Sequence, residues 1–353
     1  GDQQSIFGKL NIELPNESKL TVVADLQEWE SKWVINSEKG FIYFPTPRSI
    51  SSSSGDDEGS RERFSISLNL SNTNALYDSA EVSYYTQETE QSQITVQNQV
   101  SFFGGMQAPP TPTMRIRDFD FNQSIDGFSF EAYKSSGDYQ MIYGLDIEDT
   151  ETDRPRMLTE INLITGMATN IVDGETYPNK TFPDSETKRK AVYFNNRFGL
   201  SDSSVLTIGF RYDDYELNTS PDLLLSNANI LNYQISNTED SAFTFKLGYL
   251  QDLSENLTGF VQYAEGFKAP NYETSNTVFT NYLYFYTVTP NPNLGSEESD
   301  TIEIGLRGSG ENDSWELAMY RSEVEGFIHP EVIGFSRGLG IYQYQNAENV
   351  EIQ

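Results

Sequence analysis

His329 is the only histidine among the 353 residues, and the sequence contains no cysteine. A Ser-His-Asp triad would therefore have a single possible base, and a metal site built from several histidines cannot form. Disulfides, iron–sulfur clusters and thiol nucleophiles are excluded as well. Neutral imidazole is the commonest metal ligand, so His329 is a candidate ligand, although a lone exposed histidine more often has no such role.

Carboxylates are abundant, and their clusters at residues 56–58 and 146–153 offer hard oxygen ligands of the kind that Ca²⁺ prefers. Neither cluster has the spaced acids and the glycine of a dedicated calcium loop, so a solvated acidic surface is the favoured interpretation. Chance pairs of acids are expected in such a chain, and no pattern singles out a glycosidase pair or a phosphate-binding glycine loop. The sequence therefore predicts that this protein is not an enzyme.

The formal net charge is −30, from 53 acidic and 23 basic residues. A chain this acidic has no basic patch that could neutralise a phosphate backbone, so nucleic-acid binding is excluded. With 37% hydrophobic and 13% aromatic residues, the sequence is too polar for a helical membrane protein and too aromatic for a disordered one. These values leave an ordered protein that does not cross a membrane with helices.

Apolar and polar residues alternate with a period of two, which is typical of strands with one apolar and one polar face. In residues 63–70, Phe64 and Ile66 share one face while Ser65 and Ser67 share the other. The same alternation recurs in residues 206–213, 243–249 and 301–307. Lys or Arg repeatedly occupies the polar face, so we expect that face to be in contact with water.

Short polar turns alternate with long connecting segments along the chain. The turns lie at residues 15–18, 71–78, 135–138, 201–204, 251–256 and 309–313. The long segments lie at roughly 28–60, 92–111, 151–186, 218–240, 268–298 and 329–339. Outer-membrane barrels have short periplasmic turns, long extracellular loops and strands that are apolar toward lipid. The sequence therefore predicts an all-β fold, a transmembrane antiparallel meander of about thirteen strands; a soluble or surface β-sandwich binding protein is the alternative.

Three local predictions depend on this topology. Residues 115–134 are predicted to form one long strand, because a hairpin at 124–127 would place every later long loop on the periplasmic side. The low-complexity run at residues 51–58 is predicted to be the mobile tip of a long loop. His329 is predicted to follow a strand over residues 315–328 and to open an extracellular loop.

Two short motifs are the most specific feature of the sequence. They are Phe267, Lys268, Ala269 and Pro270, followed after twenty residues by Asn291, Pro292, Asn293 and Leu294. Together with weaker landmarks at residues 143–146, 182–184 and 209–213, they resemble the FRAP and NPNL boxes of TonB-dependent outer-membrane receptors. The resemblance is to the branch that takes up haem and binds haemoglobin, transferrin or lactoferrin, with Lys268 where that branch usually has Arg.

The resemblance implies a receptor in the outer membrane of a Gram-negative bacterium that takes up an iron-bearing cargo. Such receptors have 22 strands around an N-terminal plug, so residues 1–353 are expected to be one partial barrel domain without the plug. The implied partners are the TonB complex, through an N-terminal region missing here, outer-membrane lipid, and extracellular haem or a host iron or haem protein. No permanently bound cofactor is implied, because haem or an iron chelate would be the transported ligand.

The region between the two boxes departs from the family. Haem receptors resemble one another in a histidine there, whereas residues 271–290 contain none and are rich in aromatic residues. Tyr282, Tyr284 and Tyr286 would point the same way in an extended segment, and haem iron accepts tyrosinate or imidazole as an axial ligand. These tyrosines and His329 are therefore candidate ligands. The alternatives are an aromatic girdle, simple loop packing, or a siderophore as cargo on the same scaffold.

Overall fold

The computed structural model describes residues 1–310 and 312–352. Its strands, in chain order, are β1 (Asp2–Glu13), β2 (Lys19–Val34), β3 (Gly40–Ile42), β4 (Arg48–Ser71), β5 (Ser79–Ser101), β6 (Thr111–Ser136), β7 (Tyr139–Asp153), β8 (Pro155–Asn162), β9 (Ala168–Thr169), β10 (Ile171–Val172), β11 (Glu175–Thr176), β12 (Asn179–Lys180), β13 (Asp184–Ser201), β14 (Ser204–Ser220), β15 (Thr238–Ser254), β16 (Leu257–Lys268), β17 (Phe279–Asn281), β18 (Tyr286–Thr289), β19 (Glu297–Ser309), β20 (Ser314–Ser336) and β21 (Leu339–Ile352). Two short helices, α1 (Leu223–Ala228) and α2 (Tyr272–Asn276), and two 3₁₀ turns, Pro15–Glu17 and Asn36–Glu38, complete the described elements.

Thirteen of these strands are long and form one antiparallel meander. They are β1, β2, β4, β5, β6, β7, β13, β14, β15, β16, β19, β20 and β21, and each pairs with the next in this order. The predicted all-β meander is therefore confirmed. Residues 115–134 lie within the single strand β6, which confirms the prediction of one long strand.

Short turns lie at one end of the meander and long connections at the other, as the sequence predicted. The long connections are shorter than predicted because the strands continue beyond the region of clear alternation. They cover residues 35–47, 102–110, 154–183, 221–237 and 269–296, and the end of the sheet where they lie is called the long-loop end below.

Two predictions about this end are wrong. Residues 51–58 are not a loop tip, because they lie in β4, where residues 54–58 pair with β2 and residues 52–58 pair with β5. The predicted loop at 329–339 is a tight turn at Arg337 and Gly338, since β20 continues to Ser336 before β21 begins. His329 therefore lies inside β20 rather than at the start of a loop. In both regions the backbone forms hydrogen bonds with a neighbouring strand. The local composition does not reveal this stabilisation, because it depends on the partner strand.

The apolar face of the meander, typified by Val192, Tyr212 and Phe243, carries exposed apolar side chains in register across neighbouring strands. On β6 this face presents only apolar residues, Phe128, Phe130 and Ala132, between Asp126 and Lys134. Outer-membrane barrels have an outward apolar band bordered by polar residues at both interfaces. The exposed apolar side chains of this face match contact with lipid.

Within residues 1–310 and 312–352, neither helix has the length and apolar character needed to cross a membrane.

Candidate functional site

A buried polar network joins two long connections, 35–47 and 154–183, to strands β4, β5 and β6 at the long-loop end. Arg115 donates from Nη2 to Glu160 Oε2 at 2.6 Å and from Nη1 to Asp173 Oδ2 at 2.8 Å. Arg48 reaches the other oxygen of Asp173 at 3.3 Å. The side chains of Arg115 and Glu160 are only 3% and 4% exposed, so both charges depend on each other rather than on water. Asp173, which lies in the connection between β7 and β13, thereby links β4 to β6.

Glu38 forms a second node of this network. Its carboxylate accepts hydrogen bonds from Ser53 Oγ at 2.5 Å, Gln97 Nε2 at 2.7 Å and Arg117 Nη1 at 3.1 Å. Burial raises the pKa of Glu38, but the hydrogen bonds and the charge of Arg117 outweigh it, so the net pKa lies below the ordinary value. Glu38 therefore stays ionised and fastens the connection between β2 and β4 onto β5 and β6.

Lys180 fastens the base of the connection between β7 and β13. Its ammonium contacts Asp184, approaches Asp222 at 3.2 Å and lies 3.8 Å from Asp153, while its side chain is 5% exposed. Burial alone would lower the pKa of Lys180, yet the three aspartates raise it above the ordinary value. Asp222 also caps helix α1 by accepting a hydrogen bond from Leu225 N at 2.8 Å. One cation thus joins β7, β13 and the following connection.

Replacement of Lys180 by Met is expected to loosen residues 154–183 by about 2 kcal/mol, because three carboxylates lose their shared counterion but remain partly solvated. Millimolar Ca²⁺ should restore part of the stability, since clustered carboxylates are good ligands for this ion. The measurement is the rate of proteolytic cleavage in residues 154–183 of the folded receptor, with and without Ca²⁺. Lys188→Met removes a more exposed pair with Glu186 and should change the rate little; equal effects of the two substitutions would contradict the prediction.

Arg156 is enclosed by aromatic rings from three elements. Its guanidinium lies 4.9 Å from the ring centre of Phe119, 5.2 Å from Phe279 and 5.8 Å from Tyr177. Burial, followed by the charge of nearby Glu175, raises the pKa of the Tyr177 hydroxyl far above its ordinary value. Because a buried guanidinium gains from aromatic faces, this cluster attaches the aromatic connection between β16 and β19 to the wall of the meander.

The two sequence motifs lie side by side. Phe267 and Lys268 end β16, and Leu294 lies just before β19, whose first residue Glu297 is the register partner of Lys268. Lys268 Nζ contacts Glu297 Oε1 at 3.1 Å, and that oxygen also accepts a hydrogen bond from Ile328 N at 2.9 Å. The motifs therefore close the two ends of the 269–296 connection.

Buried contacts explain the residues of both motifs. The side chain of Pro270 is fully buried, and its carbonyl oxygen accepts a hydrogen bond from Tyr215 Oη at 2.8 Å. Asn291 donates from Nδ2 to Tyr344 O at 2.8 Å, and its Oδ1 accepts from Asn293 N at 3.0 Å. Leu294 is buried as well. The motifs therefore anchor the two ends of the connection.

The three candidate tyrosines do not share one direction. Tyr282 and Tyr284 lie in the turn between β17 and β18, and Tyr286 lies in β18, so the assumption of an extended segment is wrong. The positive φ of Phe285 reverses the chain within the turn. Tyr284 is 71% exposed. Tyr286 packs between Phe279 and Tyr342, with ring centres 6.0 and 5.7 Å apart.

His329 is half-buried in β20, opposite Gln345. Its ring stacks on Phe327 with centres 6.5 Å apart, and Nδ1 lies 3.4 Å from the Phe327 carbonyl oxygen. It lies next to Ile328, whose amide contacts Glu297, so the structure places it near the start of β19. The sequence did not indicate this proximity, because it depends on the pairing of β19 with β20.

The predicted acidic clusters are largely neutralised or separated. Glu30, Asp56 and Glu58 place carboxylate oxygens within 4.8 Å of one another, but Lys32 contacts Glu30 and lies 3.7 Å from Asp56. Residues 146–153 lie in β7, where alternate side chains point to opposite faces. These clusters therefore behave as the charged surface that the sequence favoured.

The polar face of the meander combines tyrosines and charges in register. In the strand register, Glu148 of β7 lies opposite Arg189 of β13, which lies opposite Tyr215 of β14. Tyr85 donates from Oη to Glu148 at 2.6 Å, and its ring occupies the space where a side chain on Gly127 would be. This packing explains why a glycine stands inside the long strand β6.

A cavity of about 780 Å³ opens on this face beside the first motif. Arg189, Arg211, Lys246 and Lys268 contribute to its lining. Arg211 pairs with Asp146 and Asp213, and Lys268 pairs with Glu297. In the part of the chain that the structure describes, Arg189 and Lys246 have no carboxylate within ion-pair distance. The same lining carries five carboxylates, those of Asp146, Glu148, Asp213, Asp214 and Glu265, so the cavity is of mixed charge.

Sequence reasoning did not identify Arg48, Arg115, Glu160, Asp173 or Lys180. Their partners lie between 4 and 125 positions away in sequence, and none belongs to a recognisable motif. No local pattern of the sequence identifies which of these charges meet.

Comparisons with known proteins agree with this architecture. The chain is 27% identical over 159 residues to hemoglobin-haptoglobin utilization protein B of Neisseria meningitidis serogroup A / serotype 4A. The matched region covers 43% of this chain and 19% of that protein. The vitamin B12 transporter BtuB of Photobacterium profundum is 26% identical over 188 residues, covering 48% and 30%. The chain thus spans less than a third of either relative's length.

The structure of the RagAB peptide importer superposes with a TM-score of 0.62 at 14% identity, covering 99% of this chain and 43% of that chain. At this identity the likeness concerns the fold alone. The names of all three proteins describe transport or utilization and none describes an enzyme, in agreement with the prediction from the sequence.

A family model described as TonB dependent receptor-like, beta-barrel matches residues 11–353, nearly the whole chain. Proteins of this family lie in the outer membrane of Gram-negative bacteria, which explains the apolar face and the alternation of short turns with long connections. The chain belongs to the family of TonB-dependent receptor β-barrels.

Proposed function

We propose that this chain is the barrel portion of a receptor that imports an iron-bearing cargo, with haem or a haem-carrying protein as the cargo. The observation that carries the proposal is the pair of anchored motifs, Phe267–Pro270 and Asn291–Leu294, at the two ends of one aromatic connection. The resemblance of these motifs to those of haem receptors and the relative named for hemoglobin-haptoglobin utilization support haem over other cargoes.

Tyr282 and Tyr284 are the candidate haem ligands that remain accessible in this connection. A tyrosinate can serve as the axial ligand of haem iron in place of the absent histidine. Tyr284 is the better candidate because its side chain is the most exposed, whereas Tyr286 is held between two other rings. His329 supplies the one imidazole, but it is stacked on Phe327 in a strand.

In the proposed mechanism the cargo first binds at the long-loop end. The TonB complex then acts on a plug domain, and the cargo passes along the polar face of the barrel. The cations of the 780 Å³ cavity would accompany anionic groups of the cargo on this path. No bond is made or broken in the cargo, so these residues bind and guide rather than catalyse.

The test uses the full-length receptor in iron-starved cells that lack other haem uptake. We expect growth on haemin that disappears when the TonB complex is deleted. Tyr284→Phe should weaken haemin binding to the purified receptor about tenfold or more and change its absorption spectrum, because an axial ligand is lost. Tyr286→Phe is the matched control and should leave both unchanged. Growth on a ferric chelate without growth on haemin would refute the haem assignment.

A ferric siderophore is the second candidate cargo. The absence of histidine from residues 271–290 favours such a chelate over haem. Retained growth on such a chelate after loss of haemin binding would select this alternative.

A further inference from the structure

The turn of a small hairpin inserts a carboxylate between two buried arginines. Among the strands that the structure describes, β10 and β11 pair only with each other, as a two-stranded sheet separate from the meander. Asp173 and Gly174 form the turn between them, both with positive φ, and an Asp-Gly pair is favoured in such a two-residue turn. The hairpin is therefore a preformed unit whose backbone pairing is independent of the barrel wall.

The two arginines meet on the polar face of the meander. Arg115 lies on the face of β6 opposite to the apolar Phe128 and Phe130, and Arg48 begins β4. Asp173 Oδ2 accepts a hydrogen bond from Arg115 at 2.8 Å, and its Oδ1 accepts one from Arg48 at 3.3 Å. The side chains of Arg48 and Arg115 are only 4% and 3% exposed, so this carboxylate neutralises charges that water does not reach.

The carboxylate does not fully satisfy Arg48. Arg48 Nη1 donates to both Asp173 and the carbonyl oxygen of Thr46, whereas its buried Nε has no hydrogen-bond partner in the part of the chain that the structure describes. Burial, followed by the charge of Arg115, lowers the pKa of Arg48 to about 10, so its charge is incompletely compensated. An oxyanion with three or more oxygen atoms offers more acceptors to these guanidinium groups than a carboxylate does.

We propose that Arg48 and Arg115 form a binding site for a phosphate-like oxyanion, and that Asp173 occupies this site as an internal ligand. The entering oxyanion replaces the Asp173 carboxylate and releases the hairpin. A vacant site would leave two buried cations beside one carboxylate, that of Glu160, so the hairpin stays closed until an anion takes its place. Because the site lies on the polar face, the oxyanion comes from solution rather than from a lipid headgroup. The oxyanion is not the iron-bearing cargo, and the site goes beyond the proposed function.

Release of the hairpin uncovers part of the aromatic connection between β16 and β19. Gly174 lies beside the ring of Tyr282, since a Cβ atom on this glycine would be 3.6 Å from Tyr282 Cε2. At the base of the hairpin, Val172 packs with Leu158 and Tyr177 in a small apolar cluster. The ion pairs thus hold the tip and the cluster holds the base. Exchange of the carboxylate therefore frees the tip next to Tyr282 while the base stays anchored.

The test measures phosphate binding by the purified full-length receptor, using equilibrium dialysis of radiolabelled phosphate at an ionic strength held constant with chloride. Asp173→Asn keeps a residue that tolerates positive φ but removes the competing charge. The wild-type receptor should bind phosphate weakly, because an internal ligand competes at a high effective concentration. Without this competitor, Asp173→Asn should bind phosphate about tenfold more tightly or better.

Two further variants locate the bound anion. Adding Arg48→Met to Asp173→Asn should abolish the gain in affinity, because half of the site is lost. Glu175→Gln is the matched control, since it removes a carboxylate from the same hairpin that lies 3.8 Å from Arg156 instead. Its phosphate affinity should equal that of the wild-type receptor. The electrophoretic mobility shift on heating confirms that each variant retains the folded barrel.

Hydrogen exchange reports the position of the hairpin. Saturating phosphate should raise the exchange rate of residues 170–177 in the wild-type receptor about tenfold or more, and acetate at equal concentration should raise it less. None of these measurements depends on the identity of the cargo.

Three results would overturn the proposal. The first is equal phosphate affinity of the wild-type receptor and Asp173→Asn, or an equal gain in Glu175→Gln. The second is tight binding that survives Arg48→Met, because the anion would then lie elsewhere. The third is phosphate binding without faster exchange in residues 170–177, because the hairpin would then not be released.

Discussion

Replacement of Arg115 by Met is expected to destabilise the long-loop end by about 3–5 kcal/mol, because Glu160 and Asp173 would lose their cationic partner. Glu160 is almost completely buried, so water cannot replace the lost ion pair. The connections at 35–47 and 154–183 should then become accessible together, since Arg48 contacts both Thr46 O, at 3.1 Å, and Asp173, which Arg115 also holds. Hydrogen exchange and limited proteolysis of the detergent-solubilised receptor would measure this opening.

Two further variants make the prediction for Arg115 specific. Arg307→Met breaks the exposed ion pair with Glu316 and should cost less than about 1 kcal/mol. Adding Glu160→Leu to Arg115→Met removes the unpaired buried carboxylate and should recover part of the stability. Equal protection in Arg115→Met and Arg307→Met would show that the buried network does not hold the connections.

Replacement of Gly127 by Val is expected to destabilise the barrel wall by about 3 kcal/mol. A Cβ atom at this position would lie 2.2 Å from Tyr85 Cε1, so the ring must leave its place. Its displacement also breaks the hydrogen bond to Glu148 and the contact with Arg63, whose guanidinium lies 4.6 Å from the ring centre. The heat-induced unfolding of the purified receptor, followed by its electrophoretic mobility shift, reports the loss.

A double-substitution cycle separates this clash from the ordinary effect of a β-branched residue in a strand. The three atoms nearest to a Cβ at Gly127 all belong to the Tyr85 side chain, so Tyr85→Ser combined with Gly127→Val should be more stable than the sum of the single effects. Gly248→Val is the control, because its nearest obstacle is Thr207 Cβ at 3.7 Å. Additive effects in the cycle would refute the assigned role of Gly127.

The sequence predicted the architecture well because period-two alternation is a local property. A strand between lipid and water must place apolar residues on one face. The alternation of Phe64 and Ile66 with polar residues, repeated in the other strands, shows this face directly in the sequence. The length of β6 also followed from local information combined with the parity of turns. The prediction failed at residues 51–58 and at 329–336, where polar or mixed segments are strands only because a neighbouring strand pairs with them.

The candidate site was predicted in part. The motifs around Pro270 and Asn291 were identified correctly as landmarks, but their role as buried anchors required the pairing of β16 with β19. The common orientation of Tyr282, Tyr284 and Tyr286 was wrong because the turn before β18 reverses the chain. Their role as haem ligands, like that of His329, stays a prediction.

The sequence by itself determined the family, the apolar and polar faces of the strands, and the absence of thiol chemistry, since each depends on residue type and short-range spacing. Only the tertiary structure decided which charges meet. Arg48 and Arg115 find Asp173 at separations of 125 and 58 residues, and Lys180 gathers aspartates from both sides of one connection. Ion pairs of this kind arise from the closure of long loops over a sheet, and their partners have no fixed spacing that a sequence could reveal.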